Sequence, residues 1–165
     1  MPFKPFENQN CSIARASEIL SERWTMLIMR EILLGRRRFS ELKRNTGAAS
    51  NILSDRLNTL VDHGLLVRVD RQEIDGSPIE QYKPTRKGVD VQPIILAMLA
   101  WGDKYESPDG APKEIVHDAC GHTTHPVMAC SHCGDRIMPD EVSVRPGPGA
   151  NERQIREYER TQRAA

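Results

Sequence analysis

Long apolar runs are absent from the sequence: none approaches the roughly 18 residues that a membrane-spanning helix needs. The first ten residues, MPFKPFENQN, also lack the apolar centre of a secretory signal, so we expect a cytoplasmic protein with no membrane contact. Net charge is absent as well, because 23 Lys and Arg residues balance 23 Asp and Glu residues. This balance argues against a uniformly basic nucleic-acid packaging protein, although a local basic face can still bind nucleic acid.

Cysteine is scarce, and three of the four cysteines (Cys120, Cys130, Cys133) lie close together late in the chain. In a cytoplasmic chain such clustering indicates metal or thiol chemistry before disulfides. A glycine-rich phosphate loop is missing, and no nucleophile–base pair is supported by residue spacing. We therefore predict that the protein is not an enzyme.

Proline, glycine and charge divide the 165 residues into five predicted segments. A loose arm at 1–10 precedes the main folded domain at 11–106, and a Pro/Gly-rich linker follows at 107–116. A small Cys/His-rich hairpin is predicted at 117–138, and a charged tail, flexible or helical, at 139–165.

Helical periodicity dominates the main domain. A stretch that is apolar nearly all round ends at Gly35, which is typical of a helix buried in a core or a subunit interface. A later helix places Leu53, Leu57 and Leu60 on one face, with Ser50 as its predicted N-cap. Between these two helices the sequence predicts a short basic strand and a further helix that breaks at a Thr-Gly pair.

Alternating residues at 65–73, a DGSP turn at 75–78 and a return strand at 79–85 predict a hairpin with a charged tip. Thr85 is the predicted cap of a last long helix, which Pro93 interrupts or bends. Two short helices joined by a tight turn and followed by a hairpin form a winged helix-turn-helix. The expected fold class is mainly α with a small β-hairpin (α+β), carrying the Cys/His-rich hairpin at its C-terminal end.

The second helix of this pair suits recognition of double-stranded DNA. Its apolar back holds it on the domain, and its polar front offers donors and acceptors to base edges. Between positions 36 and 44 five basic residues accompany one acid, so we expect contacts with phosphates there. The candidate DNA-binding residues are Arg36, Arg37, Arg38, Lys43, Arg44, Ser50, Asn51, Ser54, Asp55, Arg56, Arg71 and Lys83. Winged helices also serve as protein-docking modules, so a docking module with a Cys/His interaction tail is the alternative function.

Residues 11–42, CSIARASEILSERWTMLIMREILLGRRRFSEL, resemble the opening signature of the HxlR-type transcriptional regulators. The matching positions in this stretch are Cys11, Ala16, Arg23, Trp24, Arg30, Glu31, Arg38, Phe39, Glu41 and Leu42. The resemblance continues at Leu53, Ser54, Arg56, Leu57, Leu60, His63, Gly64, Leu65, Tyr82, Pro84, Thr85, Gly88, Trp101 and Gly102. It extends over residues 11–105, and Ser12 departs from it because the family often has proline there.

The resemblance implies a small bacterial regulator that binds DNA as a homodimer. We expect this regulator to be a repressor that binds a palindromic operator and responds to a small molecule or a redox signal. In that family the first helix and the last long helix commonly form the dimer surface. The strongly apolar stretches 24–34 and 94–101 agree with this expectation independently. One recognition helix makes few base contacts, so twofold pairing also explains how a specific site is read.

The resemblance also suggests a redox or electrophile sensor at Cys11, because some members of the family sense through a cysteine at this position. Cys11 is predicted to lie at a helix start, where a thiolate is favoured. A small cysteine kept for packing is the alternative interpretation.

The late Cys/His segment predicts a structural zinc site. Cys130-x-x-Cys133-Gly is typical of a knuckle that presents two thiolates to one metal ion. Cys120, with His122 or His125, would complete a tetrahedral ligand set, and the metal would supply folding energy that this small segment lacks. A redox dithiol at Cys130 and Cys133 and a metal-free hairpin remain the alternatives.

Overall fold

The computed structural model describes residues 10–72 and 78–164. These residues fall into two units, one at 13–126 and the other joining 10–12 to 127–164. No helix in the described ranges is both long enough and apolar enough to cross a bilayer.

Helices form about half of the described residues, and the strands form two small antiparallel pairs. The helices are α1 Ser12–Leu20, α2 Thr25–Leu33, α3 Phe39–Thr46, α4 Ser50–Asp62, α5 Arg86–Val89, α6 Gln92–Tyr105 and α7 Glu152–Ala164. The strands are β1 Leu66–Gln72, β2 Pro78–Pro84, β3 Ile115–His117 and β4 His122–Thr124. The predicted mainly helical α+β class with a winged helix-turn-helix is confirmed.

Helix α2 lies at the centre of the core of the first unit. Its Ile28, Met29 and Ile32 are fully buried, and the helix contacts α3, α6 and β2. The apolar side of α4 packs into the same core through Leu53 and Leu57. Burial of these large side chains supplies the main stabilisation of the domain, and it fixes α3 and α4 relative to each other.

The turn between α3 and α4 depends on Gly47, which follows α3 with a φ of +74°. Glycine adopts this left-handed conformation without the steric cost that a Cβ imposes. The prediction that Ser50 caps α4 is wrong by one residue. Ala49 occupies the cap position with an extended backbone and no side-chain hydrogen bond, and Ser50 is the first helical residue.

Strands β1 and β2 form the wing, with a register that runs from Leu66 opposite Pro84 to Gln72 opposite Pro78. The backbone before α3 forms a single antiparallel β-bridge with this pair, at Arg38 opposite Gln81. Tyr82 N–H donates to the Arg37 carbonyl over 2.9 Å, so the basic stretch is held directly against β2. The predicted hairpin is confirmed, but its charged tip at 73–77 lies outside the described residues.

Thr85 caps a helix as predicted, since its Oγ1 accepts the Gly88 N–H over 3.1 Å and donates to the Gly64 carbonyl over 2.7 Å. The helix that it caps is short, because the long helix is interrupted just before Pro93. The structure separates α5 from α6, and Pro93 lies in the first turn of α6. Proline is tolerated there because the first helical N–H groups have no partner within the helix.

The Cys/His-rich region also differs from the predicted single hairpin at 117–138. Strands β3 and β4 pair from Ile115 to Thr124 in the first unit. A separate turn in the second unit is closed by Ile137 N–H, which donates to the Met128 carbonyl over 2.9 Å. Both turns contain a left-handed glycine, so the chain reverses twice within this segment.

The charged tail adopts the helical alternative as α7. Within the second unit, the start of α7 is hydrogen-bonded to the N-terminal segment. Gln154 Nε2 donates to the Asn10 carbonyl over 2.6 Å, and Asn10 Nδ2 donates to Gln154 Oε1 over 2.6 Å. Asn151 caps the same helix end by accepting the Gln154 N–H over 3.0 Å.

Candidate nucleic-acid interface

The N-terminal half of α4 presents a polar face to solvent. Asn51, Ser54 and Asp55 are exposed, as is Asn58 one turn further on. Ser50 is exposed at the first helical position. Amide, hydroxyl and carboxylate groups on one rigid helix can pair with donors and acceptors on base edges in a major groove.

Helix α3 supplies exposed positive charge beside α4. Lys43 and Arg44 are both exposed in its last turn. Arg37 and Arg38, just before the helix, are partly buried. The exposed cations of α3 are therefore the best placed of the predicted basic residues to meet phosphates.

Glu41 orders the start of α3. Its Oε2 accepts the backbone N–H of Arg38 over 3.0 Å and that of Arg37 over 3.1 Å. These two hydrogen bonds, in that order of importance, lower the pKa of Glu41 below its ordinary value of 4.5. The carboxylate thus satisfies two N–H groups at the helix end and fixes the path of the basic stretch.

We expect Glu41→Ala to lower the free energy of unfolding at neutral pH by about 0.5–1 kcal/mol, the low end of cap removal, because solvent screens this carboxylate. A lowered folded pKa means that the stabilisation is complete above 4.5 and is lost as the pH falls through the lower folded value. The difference between variant and parent should therefore close in acid. Glu41→Gln, which keeps an acceptor, should lose less at neutral pH. Urea unfolding at several pH values measures both variants, and a difference that does not change with pH would contradict this role.

Arg36 has a partner within the protein, although its side chain is still 39% exposed. Its guanidinium lies 3.0 Å from the buried carboxylate of Glu31, which also binds Arg30 over 2.8 Å. Glu31 is only 3% exposed, so leaving it without cations would cost desolvation energy. Arg36 thus pairs with a buried carboxylate of α2 from its position between α2 and α3. This ion pair leaves less of the Arg36 charge for DNA.

Arg56 and Arg68 each have partners within the protein. Arg56 lies 3.5 Å from Glu22, which precedes α2, so it is engaged away from the polar front of α4. Arg68 of β1 hydrogen-bonds to Asn58 of α4 and lies 3.6 Å from Glu80. Sequence reasoning missed Arg68 because strand alternation shows which face it shares but not which helix lies against it.

Of the two predicted basic residues of the wing, the structure describes the side chain of Lys83 but not that of Arg71. Lys83 is partly buried and pairs in register with Val67. Arg71 belongs to β1 opposite Ile79, and its side chain lies outside the described part of the structure. Tyr82 of β2 is buried and donates to Glu80 over 2.7 Å, and burial raises the pKa of its hydroxyl.

The three late cysteines lie on two separate turns, Cys120 on one and Cys130 and Cys133 on the other. Cys11 is exposed immediately before α1. In the β3–β4 turn, His117 Nδ1 lies 3.3 Å from Cys120 Sγ, while His122 pairs with His117 in register and His125 follows β4. Within 10–72 and 78–164, no three His, Cys, Asp or Glu side chains form a group able to hold a metal ion.

Cys130 and Cys133 form the second turn. The backbone N–H of Cys133, then that of His132, and finally the Cys133 thiol hydrogen-bond to Cys130 and lower the pKa of its thiol. Cys130 N–H donates to the Asp135 carbonyl over 2.8 Å, which closes the turn. No disulfide joins any of the cysteines in the described residues.

Comparison with known proteins agrees with this architecture. The HxlR-like helix-turn-helix family matches residues 19–110, more than half of the chain. Rv3095 of Mycobacterium tuberculosis, named an uncharacterized HTH-type transcriptional regulator, is 41% identical over 140 residues, which cover 84% of this chain and 87% of that protein.

Two solved structures, both described as candidate transcription factors, share the fold over most of the chain. PA1374 from Pseudomonas aeruginosa is 35% identical, with a TM-score of 0.63, and the match covers 89% of this chain and 99% of that one. PA1607 is 29% identical, with a TM-score of 0.76, and the match covers 87% of this chain and 100% of that one. The helix-turn-helix, the wing and these matches together show that the chain belongs to the HxlR-like helix-turn-helix family of transcriptional regulators.

Proposed function

We propose that the protein is a transcriptional repressor that binds a palindromic operator in double-stranded DNA as a homodimer. The observation that carries the proposal is the division of α4 into two faces. Leu53, Leu57 and Leu60 are buried and hold the helix rigidly, whereas Asn51 and Ser54 face solvent at its N-terminal end. A fixed helix with an exposed polar front is what direct reading of a major groove requires.

The neighbouring elements support phosphate binding on both sides of α4. Lys43 and Arg44 lie on the preceding helix, and Arg68 connects the wing to Asn58 at the rear of the polar front. Contacts of this kind set the register of the helix in the groove without reading sequence. Because each copy offers one recognition helix, two copies related by a twofold axis would read two half-sites.

Repression follows from the size of such a complex, since a dimer spanning two successive half-sites would cover promoter DNA that polymerase needs. We propose that a small molecule or a redox signal releases it. Cys11 is exposed beside α1, one of the helices that we assign to the dimer contact. A change at this position would therefore alter the spacing of the two recognition helices.

Fluorescence anisotropy with labelled duplex from upstream of the protein's own gene tests DNA binding. Lys43→Ala and Arg44→Ala should each weaken binding to every duplex and reduce the slope of log affinity against log salt by about 0.9. Arg86→Ala is a matched control, because Arg86 is an exposed cation paired with Asp90 on α5. It should leave affinity and salt slope unchanged.

Selection of bound sequences from random duplex tests the role of α4. Asn51→Ala and Ser54→Ala should relax the preference at individual base pairs, by about 1–3 kcal/mol for each good base contact. If all four variants bind like the parent, α4 and α3 are not the DNA face. Absence of salt-dependent duplex binding by the parent would instead favour the protein-docking function.

A further inference from the structure

A small apolar slot of about 250 Å³ lies between α1 and the residue that follows the end of α4. Ala16, Ile19 and Leu20 line it on the α1 side, and Leu65 lines it on the α4 side. Leu65 is 2% exposed, and its N–H donates to the Leu60 carbonyl over 2.8 Å, so this side of the slot is fixed to the core. Sites for drug-sized ligands are typically about 300–1,000 Å³, so the slot suits a smaller molecule.

Two cations complete the lining of the slot. Arg15 of α1 and Lys87 of α5 are both exposed there, and no Asp or Glu among the described residues lines it. Lys87 Nζ donates to the His63 carbonyl over 2.7 Å, so a neutral group holds this ammonium and its charge is not cancelled. Arg15 has no ion pair with the residues that the structure describes. An apolar interior bordered by cations fits a molecule with an apolar body and a negative charge.

The preference for an anion is particular to the slot. Ala16 and Leu20 also line a second, larger apolar opening, which Met98 of α6 borders. That opening contains Glu22 beside Arg23, so both signs of charge are present. The two openings therefore differ in electrostatics although they share part of α1.

Helix α1 gains most from an occupied slot. None of its residues is fully buried, and Ile19 and Leu20 pack against the core while only partly buried. A ligand in the slot would contact α1, Leu65 and Lys87 together and would add apolar contact surface to a weakly buried helix. Because Lys87 is hydrogen-bonded to the end of α4, the ligand would also connect α1 to the recognition helix.

We propose that the slot binds a small aromatic or short-chain carboxylate. The apolar body lies against Ile19, Leu20 and Leu65, and the carboxylate pairs with Arg15 and Lys87. A guanidinium can bind both carboxylate oxygens, and the ammonium adds a point charge. The consequence for regulation rests on the proposed function: such a molecule is the effector that releases DNA, since it fixes α1, a helix of the proposed dimer contact, relative to α4.

Isothermal titration calorimetry of the full-length protein with sodium benzoate tests the site in the absence of DNA. We expect a single benzoate per chain with a Kd of about 1 mM or lower, which a ligand of this size can reach. Acetate lacks the ring and benzyl alcohol lacks the charge, so each should bind at least about tenfold more weakly at equal ionic strength. No binding of benzoate at about 10 mM, or equal binding of acetate and benzoate, would overturn the proposal.

Variants test the two cations. Arg15→Gln and Lys87→Gln should each raise the Kd of benzoate at least about tenfold, because each removes a charge-assisted hydrogen bond. Arg86→Gln is the matched control, since Arg86 is exposed, pairs with Asp90 and does not line the slot. Circular dichroism checks the fold, and Arg15→Gln decides the matter if loss of the bond from Lys87 to His63 unfolds the other variant. Parental affinity in Arg15→Gln would refute the placement of the carboxylate.

Fluorescence anisotropy with the selected duplex tests the role of the ligand as an effector. Saturating benzoate should lower the operator affinity of the parent at least about fivefold, the low end of typical coupling between two sites. Arg15→Gln should bind the duplex like the parent and lose this response. Unchanged operator affinity with benzoate bound would overturn the effector role. Failure of the parent to bind any duplex would instead contradict the proposed function, and calorimetry would still decide whether the slot binds a carboxylate.

Discussion

Replacing Gly88 with alanine should lower the free energy of unfolding by about 2–4 kcal/mol, because the new methyl group would collide with backbone. A Cβ at Gly88 would lie 2.1 Å from the Leu65 carbonyl oxygen and 3.3 Å from Cβ of Pro84. No side-chain rotation can relieve the first contact. The chain must instead move α5 away from the end of α4, which breaks the Thr85 hydrogen bonds that join these elements.

Gly102→Ala is the matched control for this prediction. Gly102 lies within α6, and apart from its chain neighbours and the backbone of its own helix no atom of the described residues would come within 4 Å of its added Cβ. Alanine in a helix interior is favoured over glycine by about 0.5–1 kcal/mol, so this variant should be as stable as the parent or slightly more stable. Urea unfolding of all three proteins at one concentration compares them. Equal stability of Gly88→Ala and the parent would show that α5 is free to shift.

Local pattern was enough to predict most elements of the main domain. The spacing of Leu53, Leu57 and Leu60 predicts both the existence of α4 and its buried face, because burial on one side of a helix requires that period. The same spacing locates the polar front, because the residues of α4 that do not lie on the buried face are exposed or partly exposed to solvent. The winged order of elements follows from such local signals, since turns and caps carry their own residue preferences.

Long-range pairing could not be predicted in this way. Arg36 stands in a basic run, and only the fold reveals that buried Glu31 on α2 neutralises it. The link from Arg68 to Asn58 likewise depends on how the wing lies against α4.

The second large effect that we expect is the loss of the proposed dimer. This expectation rests on apolar surface that a single copy of the chain leaves exposed. Helices α1, α2 and α6 border an open apolar groove of about 700 Å³, lined among others by Ile13, Leu20 and Met98. Ile13 is 77% exposed and Met98 is 54% exposed, and α1 and α6 bury none of their residues fully. Soluble monomers rarely leave a continuous apolar patch of this kind uncovered.

We therefore expect Met98→Glu to convert the proposed homodimer into a monomer, because a second copy would have to bury an unpaired carboxylate in an apolar contact. A monomer reads one half-site, so operator affinity should fall at least about a hundredfold, which is less than the roughly 10³–10⁷-fold margin that typically separates specific from non-specific binding. Light scattering at micromolar concentration measures the mass, and anisotropy with the selected duplex measures the affinity.

Two matched variants make this result specific to the groove. Met98→Leu nearly conserves volume and should remain a dimer with parental affinity. Val89→Glu introduces the same charge at an apolar residue that is 38% exposed and does not line the groove, and it should also remain a dimer. A parent that scatters light as a monomer would remove the homodimer and the palindromic operator together. A dimeric Met98→Glu protein would instead place the contact between copies on a different surface. That surface would then set the distance between the two recognition helices.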